Sequence, residues 1–169
     1  MPLDDEAISF LDQPIRLRAL RATDRALLED LVHRTDSHDL QMRFFSAFRR
    51  LPPHLLDELM RLDPERRIAL IASRATSGGQ AEILAVSRAY AVAEGSAELA
   101  LLVRSDLKGL GLGSLMLARL IARCRGRGVK TLVADVLQAN SRMLRLAGKY
   151  GFRRERAEPG VTRLVLNLT

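Results

Sequence analysis

Val103-Arg104-Ser105-Asp106-Leu107-Lys108-Gly109-Leu110-Gly111-Leu112-Gly113-Ser114 is the stretch on which the reading of this chain turns. An apolar run from Ala97 to Val103 passes into a loop with three alternating glycines, and a helical pattern starts at once. Leu117, Leu120, Ile121 and Cys124 repeat on one face, with Arg119, Arg123, Arg125 and Arg127 mostly off it. Glycine permits positive φ and lets the backbone approach a ligand closely. The first turn of a helix leaves unpaired N–H groups and a partial positive charge, so a phosphate fits there. Lys108 adds a full charge beside it. A plain strand-to-helix connector needs one glycine, and three point to an anion site.

Two common phosphate loops do not fit. A dinucleotide fold wants G-x-G-x-x-G directly after the first strand of a βαβ unit. Here Gly109, Gly111 and Gly113 give G-x-G-x-G, and the loop follows a meander. A nucleoside-triphosphatase loop places its Lys after the glycines, whereas Lys108 precedes them.

Working outward, Ile15 to Leu20 alternates apolar and basic residues, as a half-exposed strand does. Thr23 is a candidate cap for a helix through Leu27, Leu28, Leu31 and Val32, and Ser37 for one through Met42, Phe44, Phe45 and Phe48. Pro52-Pro53 breaks that helix, and His54 to Leu62 reads as helix again. Ile68–Ala72, Ile83–Val92 and Ala97–Val103 are expected to form an antiparallel meander. After the glycine loop and its helix come a strand at Thr131–Leu137, a helix from Asn140-Ser141 to Gly151, and two strands around Glu158-Pro159-Gly160. The expectation is one α/β domain over residues 1–169, with a mixed, mostly antiparallel sheet of about seven strands and about four helices. Residues 1–12 are an acidic lead expected to be flexible.

The 169 residues carry 27 Lys and Arg against 20 Asp and Glu, a net charge of +7 that favours an anionic partner. The excess gathers in two segments. Arg104–Lys130 has seven basic residues against Asp106 alone, and Arg142–Arg156 has six against Glu155 alone. The aromatics comprise two Tyr and five Phe without Trp, little from which to build base-stacking platforms, so nucleic acid is not the expected partner. No stretch approaches a membrane span, the lead lacks a basic secretory n-region, and the single Cys excludes an internal disulfide framework, so the cytoplasm is the expected compartment. Cys124 reads as a core residue. His33, His38 and His54 suit no standard metal spacing, and no metal is expected.

The loop resembles the acyl-CoA signature [Q/R]-x-x-G-x-[G/A] of the GNAT superfamily of N-acetyltransferases. It reads Lys108-Gly109-Leu110-Gly111-Leu112-Gly113, with Lys in place of Gln or Arg. A second landmark of that family, an Asn followed by a helix ending in Gly-Phe, resembles Asn140 to Phe152. The order of elements also matches over nearly the whole chain. Ala97 to Gly113, Met42-Arg43-Phe44-Phe45 and Asn140 to Phe152 are similar to the acetyltransferase domain of bacterial Pat-type protein-lysine acetyltransferases. Many of those carry a large acyl-CoA-synthetase-like domain, which is not expected within these 169 residues.

The resemblance implies acetyl-CoA as donor. Backbone groups of Leu101, Leu102 and Val103 would pair with its pantetheine arm. The N–H groups of Gly109, Leu110, Gly111, Leu112, Gly113 and Ser114, with Lys108 nearby, would hold the pyrophosphate. Asn140 would hydrogen-bond the arm or the acceptor side of the cleft. Arg142, Arg145 and Lys149 are candidates for the ribose phosphate. An amine acceptor has a reference pKa of about 10.4 for lysine and must lose a proton before it attacks a thioester. Glu98, in an otherwise apolar strand, is the candidate base, and Asp135 the second. By itself Glu98 reads more simply as a charge on a solvent-facing edge; the Pat-type resemblance makes it the base. Many GNAT members place a Tyr seven residues after the Asn; here that position is Ala147, and Tyr150 points elsewhere around the helix. The expected function is transfer of acetyl from acetyl-CoA to a primary amine, chiefly a protein lysine, by a monomer or homodimer. The alternatives are a small-amine or polyamine acetyltransferase and a non-catalytic acyl-CoA sensor.

Overall fold

A computed structural model describes residues 5–46, 48 and 50–169. Met1 to Asp4 of the acidic lead lie outside the described residues. Eight strands form one sheet in the order β1-β2-β3-β4-β5-β6-β8-β7. They are β1 Glu6–Phe10, β2 Gln13–Ala19, β3 Arg67–Ala75, β4 Ala81–Ala93, β5 Ser96–Val103, β6 Thr131–Leu137, β7 Arg153–Arg156 and β8 Val161–Asn167. The helices are α1 Arg25–His33, α2 Ser37–Phe44, α3 Pro53–Met60, α4 Leu112–Gly126 and α5 Ser141–Lys149.

The meander β3-β4-β5 is antiparallel throughout. β4 is buried on both faces from Glu82 to Ser87, which is why it reads as a run rather than an alternation. The helix stripe of α4, with Leu112, Met116, Leu117, Leu120, Ile121 and Cys124, packs on one face of the sheet together with Leu144 and Ala147 of α5. Leu28 and Leu31 of α1 and Leu56 and Leu59 of α3 cover Ile71, Ile83, Val86 and Leu102 on the other.

Three expectations are corrected. The lead is not wholly flexible: Glu6–Phe10 is a strand paired with β2, and Glu6 accepts a bidentate ion pair from Arg119 at 2.9 and 3.1 Å. The two strands meet at Leu11-Asp12, whose φ values of 50° and 58° make a tight hairpin turn without the glycine that normally announces one. Thr23 does not cap α1. It sits in a 3-10 turn, Ala22–Asp24, and Asp24 accepts from the Arg21 N–H at 2.7 Å and from both Arg18 terminal nitrogens at 2.7 and 2.9 Å. The second helix also ends earlier than its apolar spacing suggests, at Phe44, because Phe45 turns left-handed with φ 62°.

The feature that creates the site is the one parallel contact in the sheet. β5 and β6 pair only at Ser96–Thr131, Ala97–Leu132 and Glu98–Val133. Beyond Glu98 the two strands diverge, so Leu99–Val103 has a strand neighbour on one side alone. The result is a fork with Glu98 at its closed end and the glycine loop at its mouth.

Candidate active site

The mouth of the fork opens into a cavity of about 280 Å³ lined by residues of β5, the glycine loop, α2 and α5. Nine of the expected cofactor residues line it: Leu101, Leu102, Val103, Lys108, Gly109, Gly111, Gly113, Ser114 and Asn140. The side chains of Leu110 and Leu112 do not. Leu110 is exposed and Leu112 is fully buried in the core, so only their backbone N–H groups remain available to a ligand.

The glycines differ in what they do. Gly109 has φ 77°, and Gly111, the residue preceding α4, has φ 93°. Both lie in the region that side chains disfavour. Gly113 is helical; a Cβ there would meet Leu146 and Val103 at 3.6 Å, ordinary contact distance. No side chain caps α4, and the first N–H to find a helical partner is that of Leu115, which donates to the Gly111 carbonyl at 3.1 Å. The preceding N–H groups of the first turn are left for an anion. A group with several phosphate oxygens and an extended, peptide-like arm fits this donor set and the unpaired edge of β5.

Lys108 is less free than its position in the motif suggests. Its ammonium pairs with Asp39 of α2 at 2.7 Å, and Asp39 also accepts from the Ser105 hydroxyl at 2.6 Å. Burial raises the Asp39 pKa, but hydrogen bonds from Lys108 and Ser105 and the Lys108 charge outweigh it, leaving Asp39 below the usual carboxylate range. Lys108 therefore fastens α2 to the loop as well as charging it. Asn140 uses its side-chain oxygen to accept from the Met143 N–H at 3.2 Å, which caps α5 and leaves the amide nitrogen available.

The basic excess divides unequally. Arg142, Arg145 and Lys149 all line the cavity, and Arg142 reaches over the loop: its Nη1 is 3.6 Å from where a Cβ of Gly109 would stand. In the other basic segment only Lys108 lines it. Arg104 is tied to Glu82 and Asp106, Arg119 to Glu6, and Arg127 to the carbonyls of Pro64 and Arg67. The Arg104 group belongs to a buried knot in which Glu82 accepts from Arg74 at 2.7 Å, Arg104 at 3.0 Å and Arg34 at 3.2 Å. That knot holds the end of β5, where the loop begins.

Glu98 stands outside the cavity lining, at the closed end of the fork, on the sheet face that α1 and α3 cover. Tyr90 of β4 is its direct cross-strand neighbour. Partial burial, then the neighbouring Glu98 carboxylate, push the Tyr90 phenol up to about 12, so it stays protonated. Asp135 is occupied elsewhere. It forms a bidentate pair with Arg163 at 2.8 Å in both contacts, and that pairing holds its pKa below the usual range. Ala147 is wholly buried and brings no proton donor. The Tyr150 hydroxyl donates to the Ser114 carbonyl at 2.9 Å and lies 2.7 Å from the Ser114 hydroxyl, which pins α5 to the first turn of α4. Cys124 is buried, and burial pushes its thiol up to about 11, so it is not a nucleophile. Arg43 and Arg88 were not among the expected site residues. Arg43 lay within a stretch already singled out, and Arg88 only in the middle of an apolar strand, where a lone cation is itself a signal.

Residues 34–152 match the Acetyltransferase (GNAT) family. The chain is 27% identical to Acetyltransferase PA5475 of Pseudomonas aeruginosa over 97% of its own length and 89% of that protein. Among solved structures it resembles the GNAT domain of S. lividans PAT, with 27% identity, 96% of each chain covered and a TM-score of 0.85. It shares its fold, at 17% identity and a TM-score of 0.71, with yncA of Salmonella typhimurium, solved with its cofactor acetyl-CoA; 92% of this chain and 94% of that one are covered. The chain belongs to the acetyltransferase (GNAT) family of acyl-CoA-dependent N-acetyltransferases.

Proposed function

We propose that this protein transfers an acetyl group from acetyl-CoA to a protein lysine by direct attack within a ternary complex, with Glu98 as general base. The observation that carries this reading is the fork: a carboxylate at its closed end, an unpaired strand edge along one arm, and free helix N–H groups at its mouth. Acetyl-CoA, when bound, supplies an acetyl thioester. The edge of Leu101–Val103 offers backbone groups to the pantetheine arm. The N–H groups from Gly109 to Ser114 meet the pyrophosphate, and Arg142, Arg145 and Lys149 face the ribose phosphate. Glu98 accepts the proton that the incoming ammonium must lose, with Tyr90 as its cross-strand neighbour. With Ala147 where many relatives place a Tyr, the departing thiolate takes its proton from water or from the acceptor.

The test is incubation with acetyl-CoA and a panel of acceptors, with products read by mass spectrometry and CoA release followed in parallel. Acetylated protein lysines are expected. Rapid turnover of a small amine with no lysine product would overturn the acceptor. Binding of acetyl-CoA without turnover of any acceptor would favour a sensor.

A further inference from the structure

Beside the Arg163–Asp135 pair, two cations with no carboxylate partner among the described residues accompany Glu98 on its face of the sheet, and removing a proton from an amine requires neither. Arg88 of β4 stands opposite Ala100, one row from the Tyr90–Glu98 pair. One end of its guanidinium is satisfied, Nη1 donating to the Leu59 carbonyl at the end of α3 at 2.6 Å. The other, Nη2, is buried without a hydrogen-bond partner among the described residues. Arg43 comes from α2. It lines the cavity beside Leu101 and Leu102, and its guanidinium lies 4.5 Å from the centre of the Phe44 ring.

Strand register sets Arg88 beside the Tyr90–Glu98 pair, the Arg43 charge acts on Arg88, and Arg43 feels Tyr90 and Glu98, so the four groups share one neighbourhood. Burial pushes both guanidiniums down to about 10, and both remain cationic at neutral pH. The nearby anions do not balance them. Glu58 is held by Arg61 and Arg67, Asp63 accepts from the backbone N–H groups of Glu65 and Arg66, Asp135 is taken by Arg163, and Tyr90 stays neutral, so Glu98 is the carboxylate left to face Arg43 and Arg88. Folding alone does not favour two half-buried like charges, one of them with a buried donor unmet. The arrangement is what a receptor for a second anion requires, since a guanidinium fork matches a carboxylate. The phosphates of the donor are not that anion. Their donors lie at the mouth of the fork, and although Arg43 reaches the cavity beside Leu101 and Leu102, Arg88 does not line it.

We propose that Arg43 and Arg88 receive a carboxylate carried by the acceptor close to its reacting amine, so that Glu98 meets the amine and the two arginines meet the acid. The inference rests on Glu98 as the base and on an amine acceptor. The carboxylate has two sources: an acidic side chain flanking a protein lysine, or the α-carboxylate of a free amino acid.

The experiment uses peptide pairs that differ only in Glu or Gln beside the lysine, and free amino acids paired with their amides. For each pair kcat/KM is measured, and binding to the CoA-loaded protein is measured by calorimetry without turnover. Wild type is expected to favour the acidic member about tenfold in both readouts. Arg88→Gln and Arg43→Gln should bring that ratio to within about twofold, and Arg88→Lys should retain part of it. CoA binding by Arg88→Gln serves as the check on folding. A preference confined to peptides assigns the flanking side chain, and one confined to free amino acids assigns the α-carboxylate. Equal treatment of acidic and neutral partners by wild type overturns the receptor, even where turnover is fast and the acetyltransferase reading stands. A preference that survives both Gln variants overturns its assignment to these arginines. Selective binding of acidic partners without turnover upholds the receptor and removes the catalytic reading.

Discussion

The mouth of the fork and its closed end are built by different means. At the mouth, the groups suited to phosphates come from one continuous stretch, Lys108 to Ser114, together with α5. They are mostly backbone N–H groups, and their availability follows from the helix beginning at Leu112 without a side-chain cap. At the closed end, Glu98, Tyr90, Arg88 and Arg43 come from β5, β4 and α2, and Arg43 and Glu98 are 55 positions apart. Their association depends on strand register and on how α2 is docked. A backbone-built site tolerates changes of side chain so long as glycine geometry survives. A side-chain-built site varies readily, and it is where relatives with one fold can diverge in the acceptor they take.

The largest expected effect tests the closed end. Glu98→Gln should lower kcat by about 10²–10⁴-fold, the range for loss of a general base, while acetyl-CoA binding by calorimetry stays within twofold. An unchanged rate removes Glu98 as the base and leaves the mouth intact.

Next comes the knot behind the mouth. Glu82→Gln leaves Arg104 and Arg74 without their shared carboxylate and should cost about 3 kcal/mol in denaturant unfolding, as expected for breaking a buried ion pair. Burial raises the Glu82 pKa, but the hydrogen bonds and charges of Arg74 and Arg104 outweigh it, and the folded value lies below the ordinary one. Its stabilisation is therefore present above the unfolded pKa of about 4.3 and is lost as pH falls through the lower folded value. The stability gap between wild type and Glu82→Gln should narrow accordingly below about pH 4.

Within the loop, Gly111→Ala places a side chain at φ 93° and should cost about 1–2 kcal/mol, read as a lowered Tm and a several-fold weaker acetyl-CoA Kd. Gly113→Ala, with helical geometry and room at 3.6 Å, should change stability by less than about 0.5 kcal/mol. Equal damage from both would show that the loop is not divided as described. The smallest effect separates the two basic segments. Arg142→Ala should weaken acetyl-CoA binding by about fivefold at low salt and less at high salt, as for an exposed charge, whereas Arg119→Ala, whose partner is Glu6, should leave that Kd unchanged.

What was legible in the residues was whatever local chemistry dictates. The meander, the amphipathic α4 and the strand–loop–helix around three glycines follow from periodicity and backbone freedom, which act over a few positions. Nine of the expected cofactor residues line one cavity for that reason. β1 was missed because its turn uses Leu11 and Asp12 at positive φ, a conformation these residues adopt only when the pairing with β2 imposes it. The role of Lys108 was incomplete because Asp39, its partner, lies 69 positions away.

By itself, then, the sequence determined the order of elements from β2 onward, a glycine loop with the local traits of an anion site, and the resemblance to acetyltransferases, each carried by residues close together in the chain. Only the tertiary structure decided where β5 parts from β6, which arginines face the cavity and which are consumed in ion pairs, and that Arg43 and Arg88 gather beside Glu98. The physical reason is that charge pairing and strand divergence are long-range: each depends on partners that folding brings together and that no local pattern of residues specifies.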